Sequence, residues 1–265
     1  MSVTLPRAIL TLSIDLELDP QRRVLNQQRY LEDATVMLLS AFGRWKVPAT
    51  WGVADPAISV VTERLAADPA NHEIAILGDA TWVGREAGRS RFVREIARRT
   101  TRGRSASLAI STLLLRSTSL DEHVDIAARH GITCGCEAVE ENPSSLWPAR
   151  GPKVEALRYG VWSIPAGLRL PGISRWLPSG GGVHLVRGAI DRAIKKTGVC
   201  HVRIDSLGLA TRGPAALRAL DRMLRHADRR RQQGLLAIET VAETARQLSG
   251  VRRGVPARSI LRPAA

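Results

Sequence analysis

Two carboxylates, Asp15 and Glu17, close the apolar run Ile9-Leu10-Thr11-Leu12-Ser13-Ile14. A run of this kind reads as a strand buried on both faces, and acids at its carboxyl end are placed for general acid/base work. The competing reading is that both acids only cap a loop. A second constellation is His201-Val202-Arg203-Ile204-Asp205-Ser206, where side-chain alternation puts His201, Arg203 and Asp205 on one face of a strand. Arg203 and Asp205 then form either a catalytic pair or a structural ion pair, and the structural pair is the preferred reading. Asp79, just after the apolar run Ile74-Ala75-Ile76-Leu77, is a further carboxylate at a strand end. The indoles of Trp51, Trp82, Trp147, Trp162 and Trp176 suit either stacking on sugar rings or core packing. Gly180-Gly181-Gly182 before a helix lacks the lysine and hydroxyl of a phosphate-binding loop and reads as a flexible connection.

The elements that must position these residues alternate along the chain. Strand-like runs fall near residues 8–14, 49–53, 73–77, 107–114, 132–136, 157–164, 199–204 and 235–238. Helical patterns occupy 30–42, 57–67, 90–99, 120–130, 183–196 and 215–233. Leu31, Ala34, Thr35, Leu38, Leu39 and Phe42 recur at helical spacing before Gly43, and a helix opening at Asp121 and Glu122 stops at Gly131. Seven or eight such βα repeats without a Gly/Ser-rich linker predict an α/β chain folded as a single (β/α) barrel, residues 1–250, followed by a basic tail, 251–265. Two Pro- and Gly-rich stretches, 140–153 and 167–182, are expected as long loops shaping a cleft.

Composition narrows the function classes. The chain has 265 residues, 44% of them hydrophobic, enough for one large core. No run of about 18 apolar residues is free of charge, and Pro6 and Arg7 come before any signal-like segment, so a cytoplasmic protein without a membrane span is expected. The net charge of +14 raises a nucleic-acid partner, but the arginines are spread over helices and aromatics make up only 4%, without interleaving. Arginine-rich helix surfaces are therefore preferred over nucleic-acid binding. Cys134-Gly135-Cys136 has no second pair at zinc spacing, and with Cys200 it reads as buried structural thiols.

Several segments in order resemble the polysaccharide deacetylase family, the NodB homology domain. Ser13-Ile14-Asp15-Leu16-Glu17 is similar to its first motif in the Asp-x-Glu variant, and Val47-Pro48-Ala49-Thr50-Trp51-Gly52-Val53 to its second strand. His72-Glu73-Ile74-Ala75-Ile76-Leu77, the run from His123 to Ile132 and Gly234-Leu235-Leu236-Ala237-Ile238 resemble later elements, so the likeness spans residues 8–248. It implies the family's distorted seven-to-eight-stranded barrel and hydrolysis of an N-acetyl amide on a carbohydrate. In that chemistry a divalent metal on one carboxylate and two histidines polarises the carbonyl, an aspartate acts as base and a late histidine as acid.

On this resemblance Asp15 is the base, Glu17 its electrostatic partner or a metal ligand, and Asp205 stands where the acid histidine would be. Trp51, Asp79, Trp82, Arg158, Tyr159 and Arg203 would line the substrate site. The two metal histidines fall at Leu77 and Thr81, or in a shifted register at Ala80 and Gly84, so a site without a metal is expected. Asp15, Glu17 and Asp79 together would suit a harder cation better than zinc. Two functions stay open: a hydrolase, active without metal, or a catalytically impaired relative that binds a glycan or a protein.

Overall fold

The computed structural model describes residues 5–16, 27–56, 62–68, 70–116, 118–137, 153–170 and 181–254. Within them the elements run β1 (Ala8–Asp15), α1 (Gln27–Trp45), β2 (Thr50–Val53), α2 (Thr62–Ala66), β3 (Glu73–Gly78), α3 (Arg89–Ser105), β4 (Thr112–Leu115), α4 (Val124–Arg129), β5 (Cys134–Glu137), β6 (Glu155–Ala156), β7 (Trp162–Ser163), β8 (Leu168–Leu170), α5 (Gly181–Lys196), β9 (Val199–Asp205), α6 (Ser206–Gln232), β10 (Leu236–Glu239) and α7 (Val241–Gly254).

The strands close on themselves. From β1 through β2, β3 and β4 to β5 every pairing is parallel, and β9 lies parallel along the other edge of β1. One extended stretch, 162–170, joins the two ends. Ile164 N and Ala166 N donate to Gly135 O and Glu137 O of β5 at 3.0 and 2.8 Å, then Gly167 N donates to His201 O at 3.1 Å and β8 continues along β9. Within the loop expected at 167–182, Leu168–Leu170 is therefore a strand. Its three residues precede Pro171 and carry too little pattern to be read locally, and pairing with β9 decides their conformation.

Alternation divides the side chains into two shells. Leu10, Leu12, Ile14, Val202 and Ile204 point outward into a layer closed by Phe42, Val186, Ile190, Met223 and Leu224 of the helices. Ile76, Leu113 and Leu115 meet Phe92 and Ile96 of α3 in a second outer layer. Inside lie Ile9, Ala75, Leu77, Leu114, Cys134, Cys136, Trp162 and Ile164. The three cysteines are free and buried, as expected. With both faces covered, all eight residues of β1 are buried, which is why it reads as a nearly continuous apolar run.

Helix α7 stoppers the amino-terminal end of the barrel. Strand β10 covers β1 only from Ala8 to Thr11, after which the chain leaves the wall. A reciprocal cap starts the helix: Thr240 N donates to Glu243 Oε2 and Glu243 N to Thr240 Oγ1, both at 3.2 Å. Val241, Ala245 and Leu248 then pack on the interior cluster, and Trp162 Nε1 donates to Ser249 Oγ at 2.8 Å. Because α7 runs to Gly254, residues 251–254 belong to a helix rather than a tail, and 255–265 lie outside the described residues. The carboxyl-terminal strand ends remain as the face on which a site is built. Among the described residues no helix is long and apolar enough to cross a membrane.

Candidate active site at the strand ends

Asp15 ends β1 and Asp205 ends β9, and the two are in register, with Ser13 opposite Arg203 and Thr11 opposite His201. The guanidinium of Arg203 crosses from β9 to Asp15. Its Nε donates to Oδ1 and Oδ2 at 2.9 and 3.0 Å, Nη2 lies 2.7 Å from Oδ1, and Nη1 donates to Leu115 O at the end of β4. Arg116, the next residue along, brings Nε to 3.5 Å from Asp15 Oδ2. The Ser206 hydroxyl donates to the Asp15 carbonyl. Burial alone would push the Asp15 carboxyl up, but Arg203, Arg116 and Arg169 outweigh it and hold the group below the ordinary carboxylate range. Asp15 is thus a sealed, ionised carboxylate.

Asp205 is not the partner of Arg203, contrary to the pairing expected from their shared face. Residues two apart on one strand point in parallel, whereas Asp15 on the neighbouring strand is the diagonal neighbour that the Arg203 side chain reaches. Asp205 Oδ1 instead accepts from Gly208 N at 2.9 Å, capping α6, and Oδ2 takes Arg169 Nη2 of β8 at 2.9 Å. The signal was available: an Asp immediately before a helical segment is a favoured cap.

One layer deeper, His201 Nδ1 lies 2.8 Å from Ile164 O and Nε2 lies 2.8 Å from Ser13 Oγ. A carbonyl only accepts, so Nδ1 carries the proton and Nε2 accepts from the Ser13 hydroxyl. Burial drives the imidazole down to about 4 and keeps it neutral. Below that, Thr11 Oγ1 meets Thr244 Oγ1 of α7 at 3.0 Å. Sequence reading missed Ser13, Arg116 and Arg169 as members of the site. For Thr11, Ser13 and Asp15 the mark was there, polar residues at period two inside an apolar strand.

The remaining candidates do not join this centre. Trp51 is fully buried on the outer face of β2, edge-on to Phe42 and His72 with ring centroids 6.0 and 5.5 Å apart. Trp82 is also buried, stacked on Phe92 at 5.8 Å with the Arg99 guanidinium 4.6 Å from its ring. Both indoles are packing residues of the outer shell and not a sugar platform. Arg158 and Tyr159 sit in a 3-10 turn leading into β7, which runs parallel to β5. That turn lies at the amino-terminal end of the barrel, opposite Asp15, so neither residue lines the site. Asp79 stands at the end of β3, half-buried, its Oδ1 accepting from Thr81 N and Oγ1 at 2.8 and 2.5 Å. Glu17, Trp147 and Trp176 lie outside the described residues.

The described residues do not fit the divalent metal that the resemblance implies. Leu77 is buried in the interior cluster, and Thr81 is an exposed hydroxyl bonded to Asp79. In the shifted register Gly84 packs so tightly that a Cβ would meet Ala80 O at 2.9 Å. Both oxygens of Asp15 are engaged by Arg203, and among the described residues no three His, Cys, Asp or Glu side chains gather as ligands.

No protein-family model and no curated protein matches this chain. Solved structures do. A protein of Mycobacterium smegmatis assigned as a polysaccharide deacetylase superposes with a TM-score of 0.69 at 13% identity, over 100% of this chain and 96% of the other. A mutant of a CE4 family pseudoenzyme with restored enzymatic activity gives 0.53 at 13% identity, over 91% and 68%. The 4-alpha-glucanotransferase of Thermococcus litoralis gives 0.56 at 11% identity, over 89% and 40%. At these identities the likeness is one of fold, and the fold is that of the polysaccharide deacetylases. A glucanotransferase shares it, so chemistry has to be argued from side chains.

Proposed function

We propose that this chain, built on the polysaccharide deacetylase fold, is a catalytically impaired relative that binds a carbohydrate at the carboxyl-terminal mouth of its barrel. The observation that carries the reading is the Asp15–Arg203 pair. A general base works best with a pKa near the operating pH, and Asp15 is held below the ordinary range by the guanidiniums around it. Its partner in the chemistry is also occupied. Asp205, at the position of the expected acid, is committed to capping α6 and to Arg169. Hydrolysis of an amide through these two carboxylates would first require breaking both arrangements.

Binding makes no such demand. Arg203 is sealed, with 3% of its side chain exposed, whereas Arg116 and Arg169 reach the surface at 19% and 41%. These two rim guanidiniums donate to sugar hydroxyls and acyl carbonyls without a change in the ion pair beneath. Calorimetric titration of the full chain with N-acetylated chito-oligosaccharides tests the reading. Saturable binding weakened by Arg116→Ala is expected, and absence of binding to N-acylated glycans would remove the carbohydrate assignment.

A further inference from the structure

A cleft of about 340 Å³ lies at the other end of the barrel, lined by Thr100, Arg104, Leu108, Ile110, Arg129 and His130 among others. The chain builds it from the carboxyl ends of α3 and α4 and from the loops that enter β4 and β5. Gly103 of α3 lets the lining residue Ile110 pack close to the helix, its side chain standing 2.6 Å from where a Cβ would be. Ser107 and Gly131, both at positive φ, turn the two loops around it.

The charge in this cleft is one-sided. A cation in the last turn answers the helix dipole, which accounts for Arg104 on α3 and Arg129 on α4 taken singly. It does not account for a cleft between them that also holds the His130 imidazole and has no carboxylate in its lining. Burial, and then the charge of Arg104, push the His130 imidazole below its ordinary value. An anion seated there pairs with the two guanidiniums and accepts from the ring N–H of the neutral His130, and the Leu108 and Ile110 side chains offer its organic part an apolar wall. The volume matches the lower range of small-molecule sites.

We infer that this cleft is a binding site for a small phosphomonoester, with the phosphate on Arg104, Arg129 and His130 and the organic part against Leu108 and Ile110. The site lies apart from the Asp15 mouth and does not depend on the function proposed there.

Calorimetric titrations of the full chain with AMP and glucose 6-phosphate, beside adenosine and glucose, test it. Binding of a phosphorylated ligand but not of its parent is expected, and which of the two binds tells whether a base or a sugar rests on the apolar wall. The Arg104→Gln/Arg129→Gln double variant should lose about tenfold or more in affinity, the equivalent of about 1.4 kcal/mol. His130→Asn, a milder change, should weaken binding in the same titration if the double variant does not fold. Arg91→Gln/Arg94→Gln, exposed on α3 outside the cleft, should leave affinity unchanged. Failure of both phosphorylated ligands to bind at millimolar concentration, or an equal loss in the Arg91/Arg94 control, overturns the assignment.

Discussion

The side chain of Asp15 is held by contacts that a substitution cannot remove singly without cost. Replacing one member of a buried ion pair leaves the other charged and unpaired, a loss of about 3–5 kcal/mol, whereas replacing both by apolar residues of similar size is often neutral. Asp15→Asn and Arg203→Met should therefore each destabilise the protein strongly in urea unfolding. The Asp15→Leu/Arg203→Met double variant should be more stable than either, and a double variant as unstable as the sum of the singles would show that the pair does not act as a unit. His201 adds a pH signature. Its imidazole is neutral with a folded value of about 4, against about 6.5 in an unfolded chain, so the unfolded state binds more protons between those values. The stabilisation is complete above pH 6.5 and is lost as pH falls toward 4, by about 3 kcal/mol in total. Asp15, also lowered, contributes a separate loss at lower pH as its carboxylate protonates. His201→Gln should flatten the curve between pH 6.5 and 4, and an unchanged curve would mean that another group carries it.

The elements show which parts of this architecture a sequence discloses. Strand β1 was legible because burial on both faces leaves an uninterrupted apolar run, and the alternation with helices pointed to the barrel. The segment that closes the ring was not legible. Residues 162–170 divide their hydrogen bonds between β5 and β9, and no local pattern encodes a strand that changes partners midway. The same limit applies to Trp51 and Trp82. Their identity suits a sugar face, but period two assigns Trp51 to the outward face of β2, where α1 covers it. No helix was expected after residue 238, only a basic tail from 251, yet α7 follows β10 and its inward face, Val241, Ala245 and Leu248, plugs the barrel. Leu248 is 2% exposed, so Leu248→Ala should cost about 2–5 kcal/mol in denaturant unfolding. A cost below 1 kcal/mol would mean that α7 is a peripheral strap and the barrel end is closed by other residues.

At the scale of the whole molecule, the net charge of +14 persists whatever pairs form, but several arginines on the helices are held by carboxylates. Arg98 and Arg102 meet Asp55, Arg44 and Arg225 meet Asp221, Arg230 meets Asp191 and Arg231 meets Asp228. The Asp55 pairs tie α3 to the segment after β2, Arg44–Asp221 and Arg230–Asp191 tie α6 to α1 and α5, and Arg225–Asp221 and Arg231–Asp228 lie within α6. Because the arginines are spread over several helices and aromatics are only 4%, duplex DNA should bind weakly, and a steep fall of affinity with salt would contradict this. The candidate site follows the same division between what is local and what is global. Asp15 and Arg203 were visible as chemistry-bearing residues at strand ends, but their pairing with each other, and the commitment of Asp205 to α6, depend on strand register. What results is the polysaccharide deacetylase fold with the Asp15–Arg203 ion pair at the centre of its mouth. Acetate release from N-acetylated chito-oligosaccharides, measured with added Zn, Co, Mn or Mg for the native chain and for Asp15→Asn, tests this most directly. Neither protein should release acetate above the buffer rate with any of the four metals, and metal-dependent release by the native chain that disappears in Asp15→Asn would contradict the account.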